Sequence, residues 1–176
     1  MITDEQLREA FLPPAMLSYF EQKLPEVPPG EVLVRVEETL KFLNMATHLS
    51  GDIPVTREID DVWHLWILET RAYFELCDAL HGRTYIHHMS NVYARAAGQD
   101  AGAPGDDGSD AWLGHQVAAL AAYVANYGDF APDRVRYWRF AASLIDERGM
   151  SLDRLNAWLR GGQAAAPAAL NGSAAR

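Results

Sequence analysis

The chain has 176 residues, 49% hydrophobic and 22% charged, enough to build a buried core and unlike a disordered or disulfide-stapled chain. Lys and Arg number 15 against 24 Asp and Glu, and the formal net charge of −9 argues against a surface that neutralises phosphates, hence against nucleic acid as a partner. The lone Cys77 excludes an intramolecular disulfide and a cysteine-rich zinc site, and neither a basic, apolar leader nor a membrane-length apolar run is present, so a cytoplasmic protein with no membrane partner is expected.

Thr3 followed by Asp4 and Glu5 marks a helix start, and Pro13-Pro14 end that helix. Residues 15 to 24 carry Met16, Leu17, Phe20 and Leu24 at helical spacing, closed by Pro25 and Pro28-Pro29. From Glu31 to Leu49 the residues Val32, Val36, Leu40, Leu43 and Thr47 share one face of an amphipathic helix. Thr56 is placed to cap a helix running to about Leu80, with Gly82 just past its end. The middle of this segment, Val62 to Leu68, is apolar almost all round, so 57–81 is expected to be the buried central helix. A turn through Gly82 to Tyr85 leads to Ile86-His87-His88, a short helical stretch through Val92, Tyr93 and Ala96, and a Gly- and Asp-rich flexible loop at 98–109. Helices are then expected at Ala111–Tyr127, ended by Gly128, at Asp129–Arg148, with Tyr137, Phe140 and Leu144 on one side, and at Ser151–Leu159. With no strand alternation and no internal repeat, the fold class is all-α: one domain over 1–160, a bundle of six or seven helices, followed by a disordered Ala- and Gly-rich tail, 161–176.

Chemistry concentrates on the histidines, which are His48, His64, His81, His87, His88 and His115. His64 lies in the most apolar helix, where an imidazole needs a polar partner, and Asp60 and Asp61 stand four and three residues before it, within reach on the helix surface. One reading makes His64 and one of His87 and His88 metal ligands, with Asp60 as a third ligand or as the acceptor that fixes the His64 tautomer. Such donors suit Zn(II), Fe(II) or Mn(II). The other reading makes Asp60 and His64 a structural hydrogen-bonded pair and His87-His88 a solvated turn. Sequences for a His-Glu-x-x-His zinc site, a paired Glu-x-x-His di-metal bundle, a phosphate-binding Gly loop, covalent haem attachment and a serine nucleophile elbow are absent. Cys77 and the aromatics Tyr73-Phe74, Trp112, Tyr137-Trp138 and Trp158 read as core residues.

The run Ile59-Asp60-Asp61-Val62-Trp63-His64-Leu65-Trp66-Ile67-Leu68-Glu69-Thr70-Arg71-Ala72-Tyr73, followed by Cys77, Gly82 and His87-His88, resembles the signature of the glycine-rich-domain-protein-like family. Carried over by position, that signature falls on Asp60, Trp63, His64, Thr70, Tyr73, Cys77, Gly82, His87 and His88. The chain departs from many relatives in having Trp66 where they place a second His, and in having His81 before Gly82 with a longer span to His87. The second departure leaves His81, His87 and His88 as alternatives for the inward-facing imidazole. The resemblance implies one polar cluster of Asp, His and a His pair, and so favours the metal reading.

Two functions are therefore expected in competition. The first is a small helical metal-binding protein, an enzyme or an accessory subunit, acting on a small-molecule or peptide substrate with Tyr73 or Tyr85 as a proton donor. The second is a metal-free interaction module that binds a protein partner and keeps Asp60 and His64 as an internal pair.

Overall fold

A computed structural model of the chain describes residues 1–49, 53–80, 82, 84–88 and 110–161. Among these residues it forms eight α-helices and no strand: α1 (Asp4–Phe11), α2 (Pro14–Lys23), α3 (Pro29–Ala46), α4 (Arg57–Leu68), α5 (Thr70–Ala79), α6 (Asp110–Tyr127), α7 (Arg139–Asp146) and α8 (Leu152–Arg160), with a 3-10 turn at Val135–Tyr137. The all-α class expected from the periodicity holds. Its count passes six or seven because 57–81 is two helices, not one. The helical stretch near Val92, the loop 98–109, His81 and the tail from 162 lie outside the described residues.

Local chemistry explains several of the helix ends. Thr3 accepts a hydrogen bond from the Gln6 main chain while the Gln6 side chain accepts from the Thr3 N–H, a reciprocal box that occupies donors α1 would otherwise leave open. Helices α2 and α3 begin on prolines, whose missing N–H costs nothing in a first turn. Ser151 accepts from the Arg154 N–H at the start of α8. Thr56 precedes α4 in extended backbone as expected, but its side chain makes no capping bond. Gly128, at φ +91°, ends α6 in a conformation that a side chain would strain.

The middle of the bundle is α3, which packs against α1, α2, α4 and α6. Helix α4 turns Ile59, Val62, Trp63 and Trp66 inward, yet Arg57, His64 and Leu68 are exposed on its other side. The expectation that 57–81 is enclosed all round is thus corrected: three large residues of Val62–Leu68 are buried, and Leu68 is 70% exposed. Phe74 and Trp112, read as core aromatics from the sequence, are 64% and 38% exposed.

Two interruptions shape the molecule. Glu69 leaves the helical region at φ −88°, ψ 65°, and α5 starts again at Thr70. Trp63 and Tyr73 are ten residues apart, a rise of about 15 Å in an unbroken helix, but the break lets the indole N–H donate to the Tyr73 hydroxyl at 2.9 Å. The expected helix over Asp129–Arg148 is likewise broken. Trp138 is extended at φ −106°, ψ 94° and forms an isolated bridge with Val55, with hydrogen bonds from Thr56 N–H to the Tyr137 carbonyl and from Arg139 N–H to the Pro54 carbonyl. The buried Trp138 indole N–H donates to Glu38 at 2.8 Å, so a tertiary partner overrides the helical pattern here.

Glu38 belongs to a buried ionic network. Glu37, Glu38 and Lys41 are almost fully covered on α3, and Lys41 meets Glu38 at 2.7 Å and Asp4 at 2.8 Å. Arg134 meets Glu37 at 2.6 Å, Glu38 at 2.9 Å and Asp4 at 3.1 Å, and Arg8 also pairs with Glu37. Burial opposes the Arg134 charge, but its hydrogen bonds to Glu38 and Glu37 prevail and raise its pKa. Burial, then the Glu38 charge, pushes the Tyr123 hydroxyl well above the usual phenol range. No helix of the described residues is long and apolar enough to cross a membrane.

Candidate metal centre

Asp60 and His64 are one helical turn apart on the outward side of α4, while their neighbours Ile59, Val62 and Trp63 hold that helix to the core. His88 arrives from the non-helical segment 84–88 that follows α5. Its Nε2 lies 3.1 Å from Asp60 Oδ1, and its ring centroid is 4.2 Å from that of His64. One ligand atom from each of Asp60, His64 and His88 lies within 4.8 Å of the other two.

The hydrogen bonds define how the rings are held. His64 Nδ1 is 2.7 Å from the Asp60 main-chain carbonyl and 3.4 Å from Asp60 Oδ2. A carbonyl oxygen only accepts, so Nδ1 carries the hydrogen and the neutral ring keeps its lone pair on Nε2. His88 is the most covered of the three side chains, at 20% exposure against 41% for Asp60 and 49% for His64. The Trp63 ring meets the His88 ring edge to face at 4.6 Å, and Phe42 packs on Trp63 at 5.2 Å. Core packing thus reaches the centre through Trp63, and solvent reaches it through Asp60 and His64.

The Asp60, His64 and His88 group could hold a divalent ion. Two atoms each about 2.1 Å from a shared ion stand about 3.0–3.4 Å apart at angles between octahedral and tetrahedral, and the Asp60–His88 spacing of 3.1 Å falls in that interval. Two imidazoles and one carboxylate suit Zn(II), Fe(II) or Mn(II) and leave positions for water or substrate.

The other residues singled out in the sequence lie elsewhere. His87 is exposed and packs its ring against Tyr85 at 4.8 Å, so it does not join Asp60 and His64. Tyr73 is fully buried and its hydroxyl donates to the Ile86 carbonyl at 2.6 Å while accepting from Trp63; burial pushes its pKa up. Tyr85 is 37% exposed, between the rings of Tyr73, Phe74 and His87. Asp61 pairs with Arg57 at 3.7 Å. Cys77 is a buried free thiol, in keeping with a core role. His48, after α3, and His115, on α6, are exposed and outside the Asp60 group.

Sequence reading did not identify the Asp60 carbonyl, the Ile86 carbonyl or the Phe42 ring as parts of this centre. The first is implicit in any helical His with a carbonyl four residues earlier, whereas the other two depend on contacts across the fold. No family model, curated protein or solved structure matches the chain.

Proposed function

We propose that the protein binds one divalent metal ion through the Asp60 carboxylate, a nitrogen of His64 and His88 Nε2, and works on a small-molecule or peptide substrate. The observation that carries this reading is the convergence of those three donors within 4.8 Å on an outward face. A solvent-exposed ion pair contributes about 0–1 kcal/mol, so the fold gains little stability from gathering three such groups here. Zn(II), Fe(II) or Mn(II) at an open site of this kind supplies Lewis acidity to bound water or oxygen. Asp60 offsets the cation's charge, His64 leaves a lone pair free by donating Nδ1–H to the main chain, and His88 closes the inner side. Of the two phenols, Tyr85 reaches solvent and is the one open to proton transfer. The resemblance to the glycine-rich-domain-protein-like family supports the same reading, since Asp60, His64 and His88 are among its signature positions.

Mass-spectrometric metal analysis of untagged protein, with calorimetric titration of Zn(II), Fe(II) and Mn(II), tests the proposal. One ion per chain is expected in the wild type and in His87→Ala, with binding lost in His64→Ala and His88→Ala. A wild type that arrives metal-free and takes up none of the three ions would sink it.

A second reading, a metal-free interaction module, is favoured by the direct Asp60–His88 hydrogen bond and by the exposed Leu68 and Phe74. It expects His64→Ala to lower Tm equally in chelator-treated and untreated protein.

A further inference from the structure

A fully buried tyrosine needs a reason for its hydroxyl, because phenylalanine would fill the same space without a polar group to satisfy. The Tyr73 hydroxyl is used twice. It accepts the Trp63 indole N–H at 2.9 Å and donates to the Ile86 carbonyl at 2.6 Å. These two bonds act on the two sides of His88. Ile86 is two residues before His88 in a segment with no helix to hold it, so a tether at the Ile86 carbonyl sets the point from which His88 reaches Asp60. The bond to Trp63 sets the rotation of the indole, whose ring bears on the His88 imidazole at 4.6 Å.

The geometry points to Tyr73 as a positioning residue for the metal centre, acting through Trp63 and Ile86 to hold His88 in register with Asp60 and His64. The inference builds on the metal reading above and adds to it that affinity is set from the core. Without the hydroxyl, the Ile86 carbonyl and the Trp63 N–H both lose a partner, His88 is free to swing, and the ion must order it on binding. Partners that orient metal ligands typically change affinity by about 10–100-fold. Linkage also requires the reverse effect: an ion that selects the ordered His88 strengthens the bonds that order it.

The test titrates Zn(II) into the full-length wild type, Tyr73→Phe and Tyr123→Phe, with Tm of each metal-free chain measured alongside. Tyr123 is the control, a buried tyrosine whose hydroxyl meets Lys41 at 3.1 Å in the ionic network. Tyr73→Phe is expected to bind Zn(II) at least tenfold more weakly, and Tyr123→Phe to bind as the wild type does even where its Tm falls as far. Equal affinity of Tyr73→Phe and wild type overturns the positioning role and leaves the metal reading standing. A wild type that takes no Zn(II) overturns both. A measurement on the wild type alone covers a Tyr73→Phe chain that does not fold. With 15N-labelled indoles, saturating Zn(II) is expected to slow hydrogen exchange at Trp63 Nε1, and an unchanged exchange rate overturns the proposal.

Discussion

Asp60 gives one carboxylate oxygen to each imidazole: Oδ1 faces His88 and Oδ2 faces His64. Its neighbour in sequence, Asp61, has the same charge but turns to Arg57, so position on the helix and not residue type decides which acid meets the two imidazoles. The same holds for Glu38, one acid in a row of charged residues, which is wholly buried between Lys41, Arg134 and the Trp138 indole. Removing one partner of a buried ionic group leaves the others uncompensated and costs about 3–5 kcal/mol. Glu38→Gln is therefore expected to lower Tm by about 10 °C, read by calorimetry, given about 2–4 °C per kcal/mol at this chain length. A Tm unchanged within error would show that the network is not holding α1 and residue 134 to α3. Spacing revealed Asp60 and His64 because their relation lies within one helical turn. Glu38 was not legible, since its partners Arg134 and Trp138 lie 96 and 100 residues away in the chain.

Helix ends follow neighbouring residues, and helix interruptions follow distant ones. The Thr3–Gln6 box, the prolines before α2 and α3, and Ser151 all act within a few residues, which is why those boundaries are readable. The breaks at Glu69 and Trp138 carry no Pro or Gly, and what they gain is tertiary: Tyr73 against Trp63, and Trp138 against Glu38. On α3, Arg35 hydrogen-bonds Glu31 one turn earlier at 2.6 Å and thereby lowers the Glu31 pKa. A carboxyl held below its unfolded value contributes stability that is full above the unfolded pKa and is lost as pH falls through the folded one. Glu31→Gln should accordingly flatten the acid side of the stability curve below about pH 5 while changing stability at pH 7 by less than about 1 kcal/mol. Denaturant titrations across pH check this; an acid limb as steep as the wild type's would rule the pair out as a contributor.

At the scale of the whole molecule the Asp60–His88 contact joins α4 to the segment after α5, across a sequence separation of 28. A ligand that binds only the closed arrangement stabilises the folded chain by about 2.7 kcal/mol at a hundred times Kd. Thermal melts with Zn(II) at that excess should rise by about 5–10 °C in the wild type and not in His64→Ala. Equal melts with and without Zn(II) in the wild type would speak for the metal-free module. By itself the sequence determined the all-α class, most helix boundaries and the placement of Asp60 and His64 on one face, since these depend on spacing within a turn or on capping chemistry. Only the tertiary structure decided that His88 and not His87 completes the group. Outside a helix adjacent side chains leave the chain in different directions, and the Tyr73 bond to Ile86 and the Trp63 ring select which of the two meets Asp60.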